Sequence, residues 1–353
     1  MAPNALHNDY PWTTPDAPLV VSAPMMKITL GKMAVTVSAG GGFGFIAGGF
    51  DLSYLAGGMA EAAEYAKSQD VPLHNGVLPI GVGFQNWGSD LQLAIDALKA
   101  HPVAAVWFFA PKQLSDLIDW AKAIRTVSEG RTKIWVQIGT VAEAIEVAKT
   151  TKPDVLVVQG ADAGGHGLAQ RASLMTLLPE TADALAAEGI NNIPLIAAGG
   201  IADGRGVAAA LALGAQGVAL GTRFLAAEEA VISKGYQNEV LRVTDGGANT
   251  VNTTIYDTVR GIHGWPKAYN GRGVVNRTYL DAVHGMPEHE NVDRYKETMK
   301  LGDAGWGPEG RMTTYAGTGI GLVREVLPAA EIVRRVQAEA IDVLRKSAAL
   351  FAR

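Results

Sequence analysis

The sequence predicts an α/β chain folded as a (β/α)8 TIM barrel, with a smaller, mainly helical insertion or lid domain after the eighth strand. Three observations carry this expectation. Between Leu19 and Gly221, short apolar runs rich in β-branched residues alternate with Ala-rich stretches of helical period. The runs are almost continuously apolar, as strands covered on both faces must be. The polar and Gly-rich signals cluster directly after those runs, where a barrel gathers its functional groups.

Eight runs read as strands: Leu19–Ala23, Gly44–Ala47, Leu78–Gly83, Ala104–Phe109, Lys133–Ile138, Val155–Gln159, Ile193–Ala198 and Gly217–Gly221. Between them, Leu91–Ala100, Leu114–Val127, Ala142–Lys149, Leu174–Glu188 and Gly204–Leu213 read as helices. Such alternation implies parallel pairing through right-handed crossovers. A doubly wound open sheet is the competing fold. It loses support because the glycines of Ala39–Gly49 do not make a G-x-G-x-x-G turn with a following acid, and they read instead as a helix-to-strand connection.

After Gly221 the alternation fails. The chain therefore divides into a barrel over 1–234, an insertion or lid over 235–312 that is polar, Gly-rich and aromatic, and a return segment over 313–353. The return segment holds an amphipathic helix, Glu331–Phe351, with Val333, Val336, Ala340, Val343 and Leu344 marking the face that packs on the barrel.

Composition excludes whole classes. The 353 residues are 48% hydrophobic and 18% charged, enough to bury a sizeable core. A net charge of −5 lacks the basic footprint of a nucleic-acid binder. The chain has no cysteine, so disulfides, thiolate metal sites, iron–sulfur clusters and a Cys nucleophile are ruled out. The polar, Pro-rich start is not a signal peptide, and no apolar run is long enough to span a membrane. A cytoplasmic enzyme is the default expectation, and a homodimer is compatible with it. His284, Glu288, His289 and Glu290 crowd together, but Pro287 interrupts them, so they read as a solvated segment and no metal is expected. There is neither a Walker lysine nor a G-x-S-x-G elbow.

Three clusters carry chemistry. The turn Gly199-Gly200 ends one strand, and Leu220-Gly221-Thr222 ends the next. Successive Gly turns at the seventh and eighth strand ends suit a phosphate held by backbone amides and a helix N-terminus, with the Thr222 hydroxyl as a further donor. The run Gln159 to Gly167 follows a buried strand directly and contains Gly164, Gly165 and His166. Histidine titrates near neutral pH, so His166 at a strand end is the candidate base. The Gln159 amide donates and accepts at once, as a pyrimidine edge or a ribityl chain requires. Ala23-Pro24-Met25, at the first strand end, offers backbone and an adaptable thioether to a planar ring.

These motifs, in this order, resemble the nitronate monooxygenase, or 2-nitropropane dioxygenase, family. The resemblance runs from Ala23-Pro24-Met25 through Ala39–Gly49, Gln159–Gly167, Ala197–Ile201 and Leu220–Phe224 to Tyr315-Ala316-Gly317-Thr318-Gly319. It implies a barrel with a lid and non-covalent FMN. It assigns flavin contacts to Ala23, Pro24, Met25, Gln159, Gly164, Gly165, Gly199, Gly200, Leu220, Gly221 and Thr222, and catalysis to His166. One departure stands out: bacterial relatives often carry Asn at the end of the third strand, where this chain has Gly83. The contact is then expected from Gly83 itself, Gln85, Asn86 or Gln137. The implied reaction is oxidation of an alkyl nitronate, or of a nitroalkane, by FMN and O2 to a carbonyl compound and nitrite. Two alternatives stay open: an NAD(P)H-dependent FMN reductase of enoyl-thioesters or quinones, and a flavin-free barrel lyase or isomerase that holds a sugar phosphate.

Overall fold

The structure, a computed structural model, describes residues 5–351. Eight parallel strands close into a barrel in the order β1-β2-β3-β4-β5-β6-β8-β9. They are β1 Leu19–Ser22, β2 Phe43–Gly49, β3 Leu78–Gln85, β4 Val103–Phe109, β5 Lys133–Ile138, β6 Val155–Gln159, β8 Leu195–Ala198 and β9 Gly217–Leu220. Each lies on one of the eight predicted runs. The ring closes where β1 pairs with β9, Leu19 opposite Gly217 and Ser22 opposite Leu220. Helices at Leu91–Ala100, Asp116–Val127, Val141–Thr150, Leu174–Ala187 and Gly204–Ala212 match the predicted stretches, and Gly31–Ala39 and Leu55–Ser68 complete the first two units.

The barrel interior is aromatic. Phe43, Phe45, Trp107 and Trp135 fill it, with the Trp135 ring 5.5 Å from Phe43 and 5.2 Å from Phe45. Gly81 makes room, since a Cβ there would stand 2.3 Å from the Phe45 ring. Tyr10 packs against this layer 4.5 Å from Phe43, and its hydroxyl accepts the Trp135 indole N–H at 2.7 Å. The polar N-terminal segment thus plugs the end of the barrel where the strands begin. That leaves the other end, at the C-terminal ends of the strands, for a site.

The eighth unit holds the insertion. The four-residue helix Thr222–Leu225 follows β9, the chain leaves the barrel, and the helix Ala329–Ala349 returns to pack beside Gly31–Ala39 and Gly204–Ala212. Contact with Gly204 is so close that a Cβ there would meet Glu339 at 2.3 Å. Its buried face runs through Ile332, Val333, Val336, Gln337 and Ala340 and then stops. Val343 is half-buried and Leu344 exposed, so the predicted face extends one turn too far: past Ala340 the helix has outrun the barrel.

The excursion is mainly helical, and it also contributes to a small sheet. Besides helices such as Lys234–Arg242, Ile255–Val259 and Glu288–Met299 it carries two strands, β10 Thr250–Thr253 and β11 Tyr269–Val274. These form an antiparallel sheet, order β10-β11-β7, with β7 Gly165–Leu168 from the loop after β6. A strand reading Gly-His-Gly-Leu shows no alternation of its own, and only the partner strand makes it one. Among the described residues, no helix is long and apolar enough to cross a membrane.

The aromatic plug yields a prediction. Tyr10→Phe keeps the ring but strips the acceptor from the fully buried Trp135 indole, and an orphaned buried donor costs about 1–3 kcal/mol. Urea denaturation should show that loss; an unchanged midpoint would mean that the hydroxyl contributes nothing.

Candidate active site

A cavity of about 1130 Å³ opens over the C-terminal ends of the strands and continues beneath the inserted segment. Pockets for drug-sized ligands measure roughly 300–1,000 Å³, so this cavity is large enough for a bulky ligand.

The strand ends supply its floor. Ala23, Pro24 and Met25 line it after β1, Gly83 within β3, Gln137 in β5 and Gln159 at the end of β6. Gly164, Gly165 and His166 follow, then Gly199 and Gly200 after β8 and Gly221 and Thr222 after β9. Leu220, a predicted site residue, does not line the cavity. It is fully buried between barrel and helices, because alternation along β9 turns its side chain outward. Gly83 is glycine for a packing reason, since a Cβ there would meet Pro24 at 2.4 Å. Asn86 does not line the cavity either: its Oδ1 accepts the Phe109 N–H at 2.9 Å and ties β3 to β4.

Three amides face the space that an Asn would have served. The Gln137 Oε1 accepts the Trp107 indole N–H at 3.1 Å, which orients the amide and leaves its NH2 free. The Gln159 Nε2 donates to the His166 carbonyl at 3.1 Å. The Gln85 Oε1 lines the cavity buried and without a partner, an acceptor in want of an N–H donor. This donor set suits the polar edge of a heteroaromatic ring.

The Gly turns form the other end. Gly199 and Gly200 take φ of 105° and 75°, a left-handed conformation that favours glycine. A Cβ on Gly221 would find nothing nearer than 3.9 Å, so the space above it is open. The Thr222 Oγ1 accepts the Gly317 N–H at 2.9 Å, which leaves its own proton to donate. One detail corrects the expectation. The helix Gly204–Ala212 is not open to an anion: the Asp203 carboxylate already accepts from Arg205 and Gly206, and Glu339 accepts from Gly204. An anion here must rely on the turns themselves and on the uncapped start of Thr222–Leu225.

His166 sits in β7 with Gly271 of β11 opposite. Its Nε2 lies 3.0 and 2.9 Å from the two carboxylate oxygens of Asp257, on the helix Ile255–Val259. The Tyr315 hydroxyl donates to the same carboxylate at 2.9 Å. Burial first, and then the Asp257 charge, push Tyr315 well above the usual phenol range, so it stays protonated. The indole of Trp265 stacks on the imidazole with centroids 3.9 Å apart and planes 4° apart. Asp257 and Trp265 were not legible as site residues, because neither belongs to a motif and the contact spans 91 positions. Among the described residues, no three or more His, Asp and Glu side chains come together as a metal-binding group.

A family model described as nitronate monooxygenase covers residues 96–339. The chain belongs to the nitronate monooxygenase family. It is 48% identical to a nitronate monooxygenase of Metarhizium robertsii, over 96% of this chain and 95% of that one. It is 37% identical to a nitronate monooxygenase of Neurospora crassa, over 95% and 92%. Two solved structures share the fold: FabK of Thermotoga maritima, at 22% identity with a TM-score of 0.74 over 99% of this chain and all of that one, and nitroalkane oxidase of Streptomyces ansochromogenes, at 24% with 0.71 over 98% and all. The chain is thus an enzyme of an oxidoreductase family.

Crowding around His166 generates a prediction. A Cβ at Gly271 would stand 2.7 Å from the Tyr315 ring and 3.3 Å from the His166 Nε2. Gly271→Ala must displace one of them, and a shift of about 1 Å near a reacting centre costs on the order of 10²-fold in rate. Steady-state kinetics and a melting curve should show a large loss of kcat/KM with the fold retained. Full activity would mean that these side chains yield at no cost.

Proposed function

We propose that the chain binds FMN on the cavity floor and oxidises alkyl nitronates with O2 to a carbonyl compound and nitrite, with His166 as base toward neutral nitroalkanes. The observation that carries this reading is a half-buried histidine, paired with a carboxylate, on the rim of a cavity whose floor offers both ring-edge amides and open Gly turns. Gln85, Gln137 and Gln159 fit the pyrimidine edge of a flavin, Ala23, Pro24 and Met25 its ring face, and Gly199, Gly200, Gly221 and Thr222 its phosphate. FMN bound there would supply an electron acceptor that reacts with O2.

The chain's own residues do the rest. The Trp265 stack and the lid exclude water around the imidazole, which strengthens every charge interaction there. A neutral nitroalkane must lose a proton from carbon: the C–H electrons move into the nitro group and the proton passes to His166. A nitronate arrives without that proton, and protonated His166 then offers it a positive partner. Carbonyl product and nitrite leave through the cavity mouth.

Two predictions test this reading. Gly200→Val forces a β-branched residue into left-handed backbone, against Asp162, so the purified variant should lose its visible flavin absorbance while keeping the far-ultraviolet spectrum of a folded barrel. Wild-type protein that is colourless and takes up no added FMN would refute flavin binding. Loss of a general base costs about 10²–10⁴-fold. His166→Asn should therefore cut turnover of a neutral nitroalkane by that much and turnover of the nitronate far less, with FMN still bound. Equal losses would count against proton abstraction. Anaerobic bleaching of the flavin by NADH but not by nitronate would point to a reductase instead.

A further inference from the structure

We infer that Asp257 is the positioning residue for His166: its carboxylate holds the imidazole in the Nε2–H tautomer and leaves the Nδ1 lone pair to take the substrate proton. This rests on the reading of His166 as base.

An ionised carboxylate only accepts hydrogen bonds, and both Asp257 oxygens stand within 3.0 Å of Nε2, so Nε2 must carry a proton. Neutral imidazole has one N–H, so Nδ1 is left as the acceptor. Nδ1 has no hydrogen-bond partner among the described residues, and His166 lines the cavity. The Trp265 indole covers one face of the ring in parallel stacking and so holds its plane. The backbone is held as well, through the Gln159 amide on the His166 carbonyl and the β7–β11 ladder.

The charge balance supports the same role. The side chains of His166 and Asp257 are only 10% and 9% exposed. Around the pair, the helix Ile255–Val259 brings Asp257 and Tyr256, the return segment brings the Tyr315 hydroxyl, and Arg260 stands 5.4 Å from the centre of the Tyr315 ring. On β11, Tyr269 lies beyond Trp265. Asp257 is therefore the carboxylate in contact with the ring. When the substrate C–H breaks, its electrons pass into the nitro group, its proton moves to Nδ1, and the imidazolium forms against that carboxylate.

The experiment uses flavin-loaded protein labelled with 15N in its histidine rings, the His166 signals being identified by their absence from His166→Asn. The wild type should show a protonated Nε2 and an unprotonated Nδ1 at neutral pH. Asp257→Asn, nearly isosteric, should populate the Nδ1–H form, and Asp257→Glu should restore the original pattern. In parallel, Asp257→Asn should lose about 10²–10⁴-fold in nitroalkane kcat/KM and lose far less with a nitronate. An Nδ1–H tautomer in the wild type, or a spectrum unchanged in Asp257→Asn, overturns the inference. If the kinetic split is missing from both His166→Asn and Asp257→Asn while the tautomer still changes, the base reading falls and the positioning role stands.

Discussion

Pairing between β7 and β11 is the constraint on which the rest of the site depends. Four residues after the sixth barrel strand, Gly165–Leu168, become the edge of a sheet whose other strands lie about a hundred positions further on. Arg272 of β11 donates to the Ala161 carbonyl at 3.2 Å, and Arg171 to that of Gly160 at 3.1 Å, so the ladder is stitched to the barrel rim. Without this sheet, His166 would stand in a Gly-rich loop with no fixed direction, and Asp257 would have no reason to be near it.

A second zipper closes the opposite side. Segment 315–319 runs between the loops after β6 and β9: the Thr318 N–H donates to the Asp162 carbonyl at 3.0 Å, and the Gly317 N–H to Thr222 at 2.9 Å. A Cβ on Gly164 would stand 2.3 Å from the Gly317 amide, so the close approach requires glycine there. One strand end thus serves two neighbours. Gly164 seats the return segment, and His166, two residues on, meets the inserted helix that carries Asp257.

The barrel and its decoration divide the work by rigidity. The floor stands on buried strands around an aromatic plug, where displacement is costly. The roof is joined to it by a short ladder, a few loop hydrogen bonds and the His166–Trp265 stack. Substrate entry needs some opening, and the roof has far fewer buried contacts to break than the barrel does.

The sequence by itself determined the barrel and its floor. Eight apolar runs, each near-continuous because both faces are covered, announced the strands, and glycines at Gly199, Gly200 and Gly221 announced the open turns. These features are local: burial and backbone conformation act on the residues that carry them. Leu220 shows where local reading ends, since a one-residue step along β9 turns a side chain from the cavity to the core. The His166–Asp257–Tyr315 constellation was decided only by tertiary structure. Its members stand 91 and 58 positions apart, and neither Asp257 nor its helix carries a periodic or motif signal. What joins them is the antiparallel ladder of an insertion whose strands have no pattern until they pair. Strand identity there is a property of the partner, and no single stretch of sequence contains it.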